Sequence, residues 1–102
     1  MRLAELEPKW LYEADGKTGG FRSRNDAPMT DAQGVRFRCP KCGGHSVLIW
    51  FEGRGVPEQL RPRPRWKATG TSVADLTLTP SILIRAPCGW HGFVTNGQIV
   101  GA

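Results

Sequence analysis

The chain has 102 residues, and its fourteen Lys and Arg outnumber nine Asp and Glu to give a formal net charge of +5. A domain of this size buries little apolar surface, so we expect an additional crosslink to stabilise it. No apolar run reaches the roughly 18 residues of a membrane-spanning helix, and no apolar signal core follows Met1, which favours a cytoplasmic protein without a membrane partner. Thirteen Gly and eight Pro indicate a mainly β domain with many turns.

The first third of the chain is interpreted as an arm followed by a loop. In the arm, residues 1–14, helix-forming residues from Leu3 predict a short helical turn that Pro8 ends, and Trp10 anchors the arm to the core. Residues 15–33 are polar and show no apolar period, which predicts a long flexible loop.

Residues 34–102 are predicted to form the metal-binding β core of a single domain. Alternating apolar and basic residues at 35–38 and a continuous apolar run at 46–52 predict two strands, the second buried on both faces. Residues 74–85 predict two short strands, or one bent strand, with Pro80 placing the break at a sheet edge.

The dipeptide Asn96-Gly97 lies between two apolar runs near the end of the chain. Both residue types tolerate the positive φ angles of a type I′ turn. This dipeptide therefore predicts a β-hairpin.

A basic, Pro-rich excursion is predicted at residues 53–67. It combines cations, a stiff extended backbone and one aromatic side chain, which suits phosphate contacts with Trp66 stacked on a nucleic-acid base. The alternative is a solvated basic loop with Trp66 packed in the core. The candidate residues for binding nucleic acid or another partner are Arg61, Arg63, Arg65, Trp66 and Lys67.

All three cysteines fall in two ligand-spaced pairs, Cys39-x-x-Cys42 and Cys88-x-x-His91. Zn²⁺ in structural sites takes four Cys or His ligands in a tetrahedron, and two ligands on one tight turn can reach the same ion. A glycine follows each pair directly, which would let the chain turn with positive φ and aim backbone N–H groups at the thiolates. We therefore predict a structural zinc site that crosslinks a small zinc-ribbon-like domain. Its ligands would be Cys39, Cys42, Cys88 and His91.

The fourth ligand has an alternative, because His45 lies three residues beyond Cys42. His91 is preferred because it shares the paired spacing with Cys88. His45 would then be an exposed histidine in the turn.

The segment from Cys88 to Phe93 also resembles the second ligand box of Rieske proteins. A Rieske centre takes two Cys and two His, whereas the first pair here is Cys39 and Cys42, so a Cys3His iron–sulfur cluster is the alternative cofactor. A zinc-dependent hydrolase is a further alternative, although four protein ligands would close the site and no His-x-Glu motif is present.

Several motifs together resemble a small family of unknown function encoded by bacteriophages and prophages. Members of that family often carry an inherited label of ammonia monooxygenase, which the absence of apolar spans and of a histidine-rich copper site argues against. The resemblance implies a metal-binding β domain, and some relatives lie near ubiquitin-like conjugation genes in bacteria. It is carried by Leu3-x-x-Leu6-x-Pro8-x-Trp10, Phe37-x-Cys39-Pro40-x-Cys42-Gly43, Pro64-Arg65-Trp66 with Gly70, Leu76-Thr77-Leu78 with Pro80-Ser81-Ile82, and Cys88-Gly89-Trp90-His91-Gly92-Phe93 with Asn96-Gly97.

The sequence thus favours a non-enzymatic accessory protein in the cytoplasm of a phage host. The zinc-stapled domain would present a basic and aromatic surface to a host or phage protein, or to nucleic acid. No small-molecule substrate is expected.

Overall fold

The computed structural model describes residues 1–13, 21–24, 29–56, 64–85 and 88–101. These ranges contain eight strands and three short 3-10 helical turns, which confirms the mainly β prediction. The strands are β1 (Lys9–Glu13), β2 (Phe21–Arg24), β3 (Gly34–Arg38), β4 (Ser46–Trp50), β5 (Lys67–Thr69), β6 (Thr77–Leu83), β7 (His91–Thr95) and β8 (Gln98–Gly101). The 3-10 turns are Leu3–Leu6, Met29–Asp31 and Val73–Asp75.

The strands form two antiparallel four-stranded sheets, with the orders β2-β1-β3-β4 and β5-β6-β7-β8. A parallel bridge between Phe51 and Trp66 joins the end of β4 to the start of β5. Backbone hydrogen bonds reinforce it: Trp66 N donates to Trp50 O at 3.0 Å, and Glu52 N donates to Trp66 O at 2.9 Å. The second sheet therefore continues from the edge of the first.

Alternate residues of the strands point into one shared core. This pattern buries one face of each sheet, as expected for antiparallel strands with one solvated face. An edge-to-face contact between Phe37 of β3 and Trp90 crosses between the sheets, with ring centroids 6.3 Å apart. Core residues that are essentially inaccessible include Leu3, Val35, Phe37, Ile49, Leu76, Leu78, Ile82 and Val94.

The N-terminal helical turn is present at Leu3–Leu6, as predicted. Its first residues also add to the second sheet, since Leu3 N donates to Gly97 O at 2.7 Å. The predicted loop at 15–33 is wrong where it is described, because β2 pairs there with β1 and Met29–Asp31 forms a turn.

Two strand predictions differ from the structure in their details. β4 is not buried on both faces, because its Leu48 is 38% exposed on the outer face. β4 is also the last strand in the order of the first sheet. Of the two alternatives for residues 74–85, one strand is present: β6 runs through Pro80, and its pairing register with β7 shifts between Leu78 and Ile82. The predicted edge position is wrong, because β6 lies between β5 and β7. Proline has no N–H to donate to a neighbouring strand. It is tolerated inside a sheet at such a bulge because the regular pairing is interrupted there.

None of the helical segments in the described residues is long and apolar enough to cross a membrane.

The predicted hairpin is confirmed at the β7–β8 connection. Asn96 and Gly97 have φ angles of 48° and 72°, and Thr95 pairs with Gln98. Gly97 also lies against the carbonyl oxygen of Ala74, where a Cβ would clash. The turn therefore requires glycine for both its backbone angle and its close packing.

We expect Gly97→Ala to lower the free energy of unfolding by about 1 to 3 kcal/mol, because alanine is strained at this φ and clashes with Ala74. Urea denaturation of the metal-loaded protein measures the change. Gly101→Ala is the matched control, since a Cβ at Gly101 meets no atom within 4 Å. Equal stability of the two variants would contradict the assignment of this turn.

Candidate metal centre and a serine–histidine pair

The connection between β3 and β4 brings three ligand-type side chains together. Cys39 follows β3 directly, and its N–H donates to His45 O at 2.9 Å, which closes the base of the turn. Gly43 adopts a φ of 65°, and its N–H donates to Cys39 O at 2.9 Å. Gly44 N lies 3.4 Å from Cys42 Sγ, so a backbone N–H points at this sulfur as expected for a thiolate ligand.

The fourth member of the group comes from the second sheet. Cys88 precedes β7, and its Sγ lies 3.1 Å from Cys39 Sγ, while Cys42 Sγ lies 3.2 Å from His45 Nδ1. The four ligand atoms all lie within 4.8 Å of one another. Three sulfurs and one imidazole nitrogen at this spacing match a structural zinc site, so Cys39, Cys42, His45 and Cys88 can hold a metal ion.

The two central thiols differ in acidity. Burial alone would raise the pKa of Cys39, but hydrogen bonds from the backbone of Cys42, from the Cys88 thiol and from the backbone of Lys41 lower it overall. The pKa of Cys88 is raised, first by its side-chain hydrogen bond to Cys39 and then by desolvation. The Cys39 thiol is thus more acidic than the Cys88 thiol, and a cation would replace the proton that these two sulfurs share.

His91, the preferred fourth ligand from the sequence, lies outside this group. Trp90 is buried against Phe37, and His91, the next residue, points to the opposite, exposed face because side chains alternate along β7. His45, the alternative, takes its place among the thiols. The spacing Cys-x-x-His could not distinguish the two, since it does not reveal that a strand begins at His91.

The glycine after His91 also differs from its predicted role. Gly92 lies inside β7 beneath the ring of Trp90, whereas the positive φ, 73°, is at Gly89. A Cβ on Gly92 would lie 2.7 Å from a ring carbon of Trp90. This glycine therefore permits close packing.

The basic segment is described only in part. Arg61 and Arg63 lie outside the described residues. Trp66 is 8% exposed, and its Nε1 donates to Ser81 O at 3.3 Å, so it is a core residue as the alternative interpretation predicted. Arg65 is half-buried, and Lys67 is exposed at the start of β5.

A second constellation, not found from the sequence, lies on the outer face of the second sheet. His91 Nε2 lies 3.1 Å from Ser81 Oγ. Between Leu78 and Ile82 the register of β6 against β7 shifts, and Ser81 lies within this irregular stretch. Bulges of this kind redirect side chains and are common beside active sites.

The separation of Ser81 and His91 is the distance expected between a nucleophile and its general base. The indole Nε1 of the buried Trp66 also donates a hydrogen bond to the backbone carbonyl oxygen of Ser81. Ser81 lies in the segment Pro80-Ser81-Ile82 that carries part of the family resemblance, but nothing in that segment marks it as a nucleophile. Pro80 is the other available signal, since a proline in a strand often accompanies a bulge.

The chain belongs to the family described as bacterial ubiquitination-like system serine protease (BubE), whose model matches residues 15–102. This description agrees with the link to ubiquitin-like conjugation that the resemblance implied, and it refers to bacteria, so the phage origin stays a prediction. No curated protein matches the chain. No solved structure matches it either.

We expect His45→Ala to lose most of the bound zinc, because three thiols remain and one coordination position opens, and His91→Ala to keep one zinc per chain. Metal analysis of both purified variants measures this. The reverse result, with zinc retained by His45→Ala and lost from His91→Ala, would establish His91 as the fourth ligand.

Proposed function

We propose that this chain is a serine hydrolase that cleaves an amide bond within a bacterial ubiquitination-like system, with Ser81 as the nucleophile and His91 as the general base. The observation that carries the proposal is the 3.1 Å separation of Ser81 Oγ and His91 Nε2 in a chain of a serine protease family.

The chemistry follows from the positions of the two side chains. His91 Nε2 accepts the Ser81 proton as Oγ attacks the substrate carbonyl carbon, and the resulting imidazolium donates that proton to the leaving amine. Water, deprotonated by the same imidazole, then attacks the acyl carbon, and the imidazolium returns the proton to Ser81 Oγ as the ester bond breaks and the acid leaves. The first proton transfer uses the hydrogen bond between Ser81 Oγ and His91 Nε2 that the structure shows.

A dyad suffices for this scheme. Among the described residues, no carboxylate forms a hydrogen bond with His91, and the Asp75 carboxylate is instead engaged by Thr71 and Ser72. We therefore assign Ser81 and His91 as a catalytic dyad, without a carboxylate as the third residue of a triad.

The metal has a structural role in this proposal. Zn²⁺ held by Cys39, Cys42, His45 and Cys88 would have a filled tetrahedral shell, so it would crosslink the two sheets without activating water. Cys88 lies three residues before His91, with buried Trp90 between them. The crosslink would therefore fix the start of β7 and the position of the base.

The non-enzymatic interaction module expected from the sequence is the second candidate. It is favoured by the net charge of +5 and by the exposed Lys67. In that case the Ser81–His91 hydrogen bond would only stabilise the bulge of β6. Reactivity of Ser81 separates the two functions.

We expect a fluorophosphonate to modify Ser81: its oxygen bonds to phosphorus, fluoride leaves, and His91 takes the hydroxyl proton. Ser81→Ala should abolish the adduct, and His91→Ala should slow it by about 100-fold or more, the usual contribution of a general base. Intact-mass spectrometry and peptide mapping provide the readout.

Ser46→Ala is the matched control, since it removes a half-buried serine from the other sheet and should leave labelling unchanged. Absence of any adduct on the folded, metal-loaded protein would overturn the hydrolase assignment and favour the interaction module.

A further inference from the structure

The outer face of the second sheet carries large apolar side chains around the Ser81–His91 pair. Leu83 is 49% exposed, Phe93 39% and Val100 46%. Within the described residues only two other large hydrophobic side chains are exposed, Met1 and Leu48. Exposed apolar side chains are thus concentrated beside the serine and the histidine.

The strand register sets their arrangement. Leu83 pairs with His91 across β6 and β7, and Phe93 pairs with Val100 across β7 and β8. Phe93 follows His91 by two residues, so both side chains project from the same face. The three apolar residues, here named the apolar strip, therefore run beside His91 from β6 to β8.

An occupant of this face is required by the chemistry of the pair. Ser81 Oγ can attack a carbonyl carbon only when the substrate chain lies across this face, about 3 to 3.5 Å from the oxygen. The residues that flank the scissile bond then lie over the strip. Leu83, Phe93 and Val100 carry no charge or hydrogen-bonding group. They would remove water from a charged substrate side chain without replacing its lost hydrogen bonds.

We propose that the apolar strip binds an apolar side chain of the peptide substrate next to the scissile bond, and so determines the specificity of the hydrolase. This inference rests on the proposed function of Ser81 and His91. Leu83, Phe93 and Val100 touch the substrate only beside the reacting atoms, so their loss weakens binding more than the chemical step.

The test uses the full-length, metal-loaded protein and two fluorophosphonates of equal length, one with an alkyl chain and one with a polyethylene glycol chain. We expect the alkyl probe to modify Ser81 about tenfold faster at low concentration, the gain of burying a few methylenes. Phe93→Ser and Leu83→Ser should each reduce this preference, and the double variant should abolish it. The rate at saturating probe should stay within about threefold, because chemistry at Ser81 is unchanged.

Leu48→Ser is the matched control, since Leu48 has nearly the same exposed fraction as Phe93, 38% against 39%, but lies on the first sheet. It should leave the alkyl preference intact. Thermal unfolding of each variant verifies that the fold is retained, and Val100→Ser replaces any variant that fails to fold.

The outcomes separate the two proposals. Either of two results overturns the binding role of the apolar strip and leaves the hydrolase proposal intact. One is labelling of Ser81 at equal rates by both probes, and the other is an alkyl preference that Phe93→Ser does not change. No labelling by either probe overturns both. A dimer in analytical ultracentrifugation that Phe93→Ser dissociates, with no alkyl preference, assigns the strip to self-association and also overturns the inference.

Discussion

The structure depends on the convergence of three thiols and one imidazole from two separate sheets. Cys39, Cys42 and His45 belong to the turn that follows β3, and Cys88 belongs to the segment that leads into β7. The sulfurs of Cys39 and Cys88 lie 3.1 Å apart, and against the effect of burial the hydrogen bonds to Cys39 lower the pKa of its thiol, so this group of ligands suits a divalent cation. Bound zinc contributes about 10 to 16 kcal/mol to the folding of small domains, which is comparable to the whole stability of a protein of this size.

The metal cluster and the serine–histidine pair are connected through a short, well-packed path. Trp90 is buried against Phe37, two residues from Cys88 on one side and next to His91 on the other. Trp66 packs in the same core and holds the carbonyl of Ser81. In the proposed hydrolase, a metal crosslink at the thiols would restrict His91, and the aromatic core would restrict Ser81. The metal would then support catalysis without an open coordination position.

Much of the fold could be predicted from local patterns, because those patterns determine local geometry. Asn96-Gly97 specifies its own hairpin, and Pro8 ends the N-terminal turn by removing a donor. Three of the four clustered ligands also follow from cysteine spacing. The choice between His45 and His91 does not, because it depends on where β7 begins and which face each residue of that strand presents.

The Ser81–His91 pair is harder to predict for a related reason. Ser81 lies in the stretch where the register between β6 and β7 shifts, and its contact with His91 depends on how the two strands pair, which neither strand's sequence shows alone. The exposure of Leu48 on β4 is likewise decided by which face of the sheet is covered, and not by the composition of the strand. A continuous apolar segment predicts that its residues will be buried, but the packing of the sheets decides which of them are.

Titration of zinc into metal-free protein tests most directly whether the proposed structural metal supports the reactivity of the proposed nucleophile, Ser81. The rate of fluorophosphonate labelling at Ser81 is followed against the number of zinc ions bound per chain. We predict that labelling is low without metal, rises in proportion to zinc occupancy and reaches its maximum at one equivalent of zinc. Full labelling of the metal-free protein would contradict the role of the metal, and no labelling at full occupancy would contradict the serine–histidine assignment.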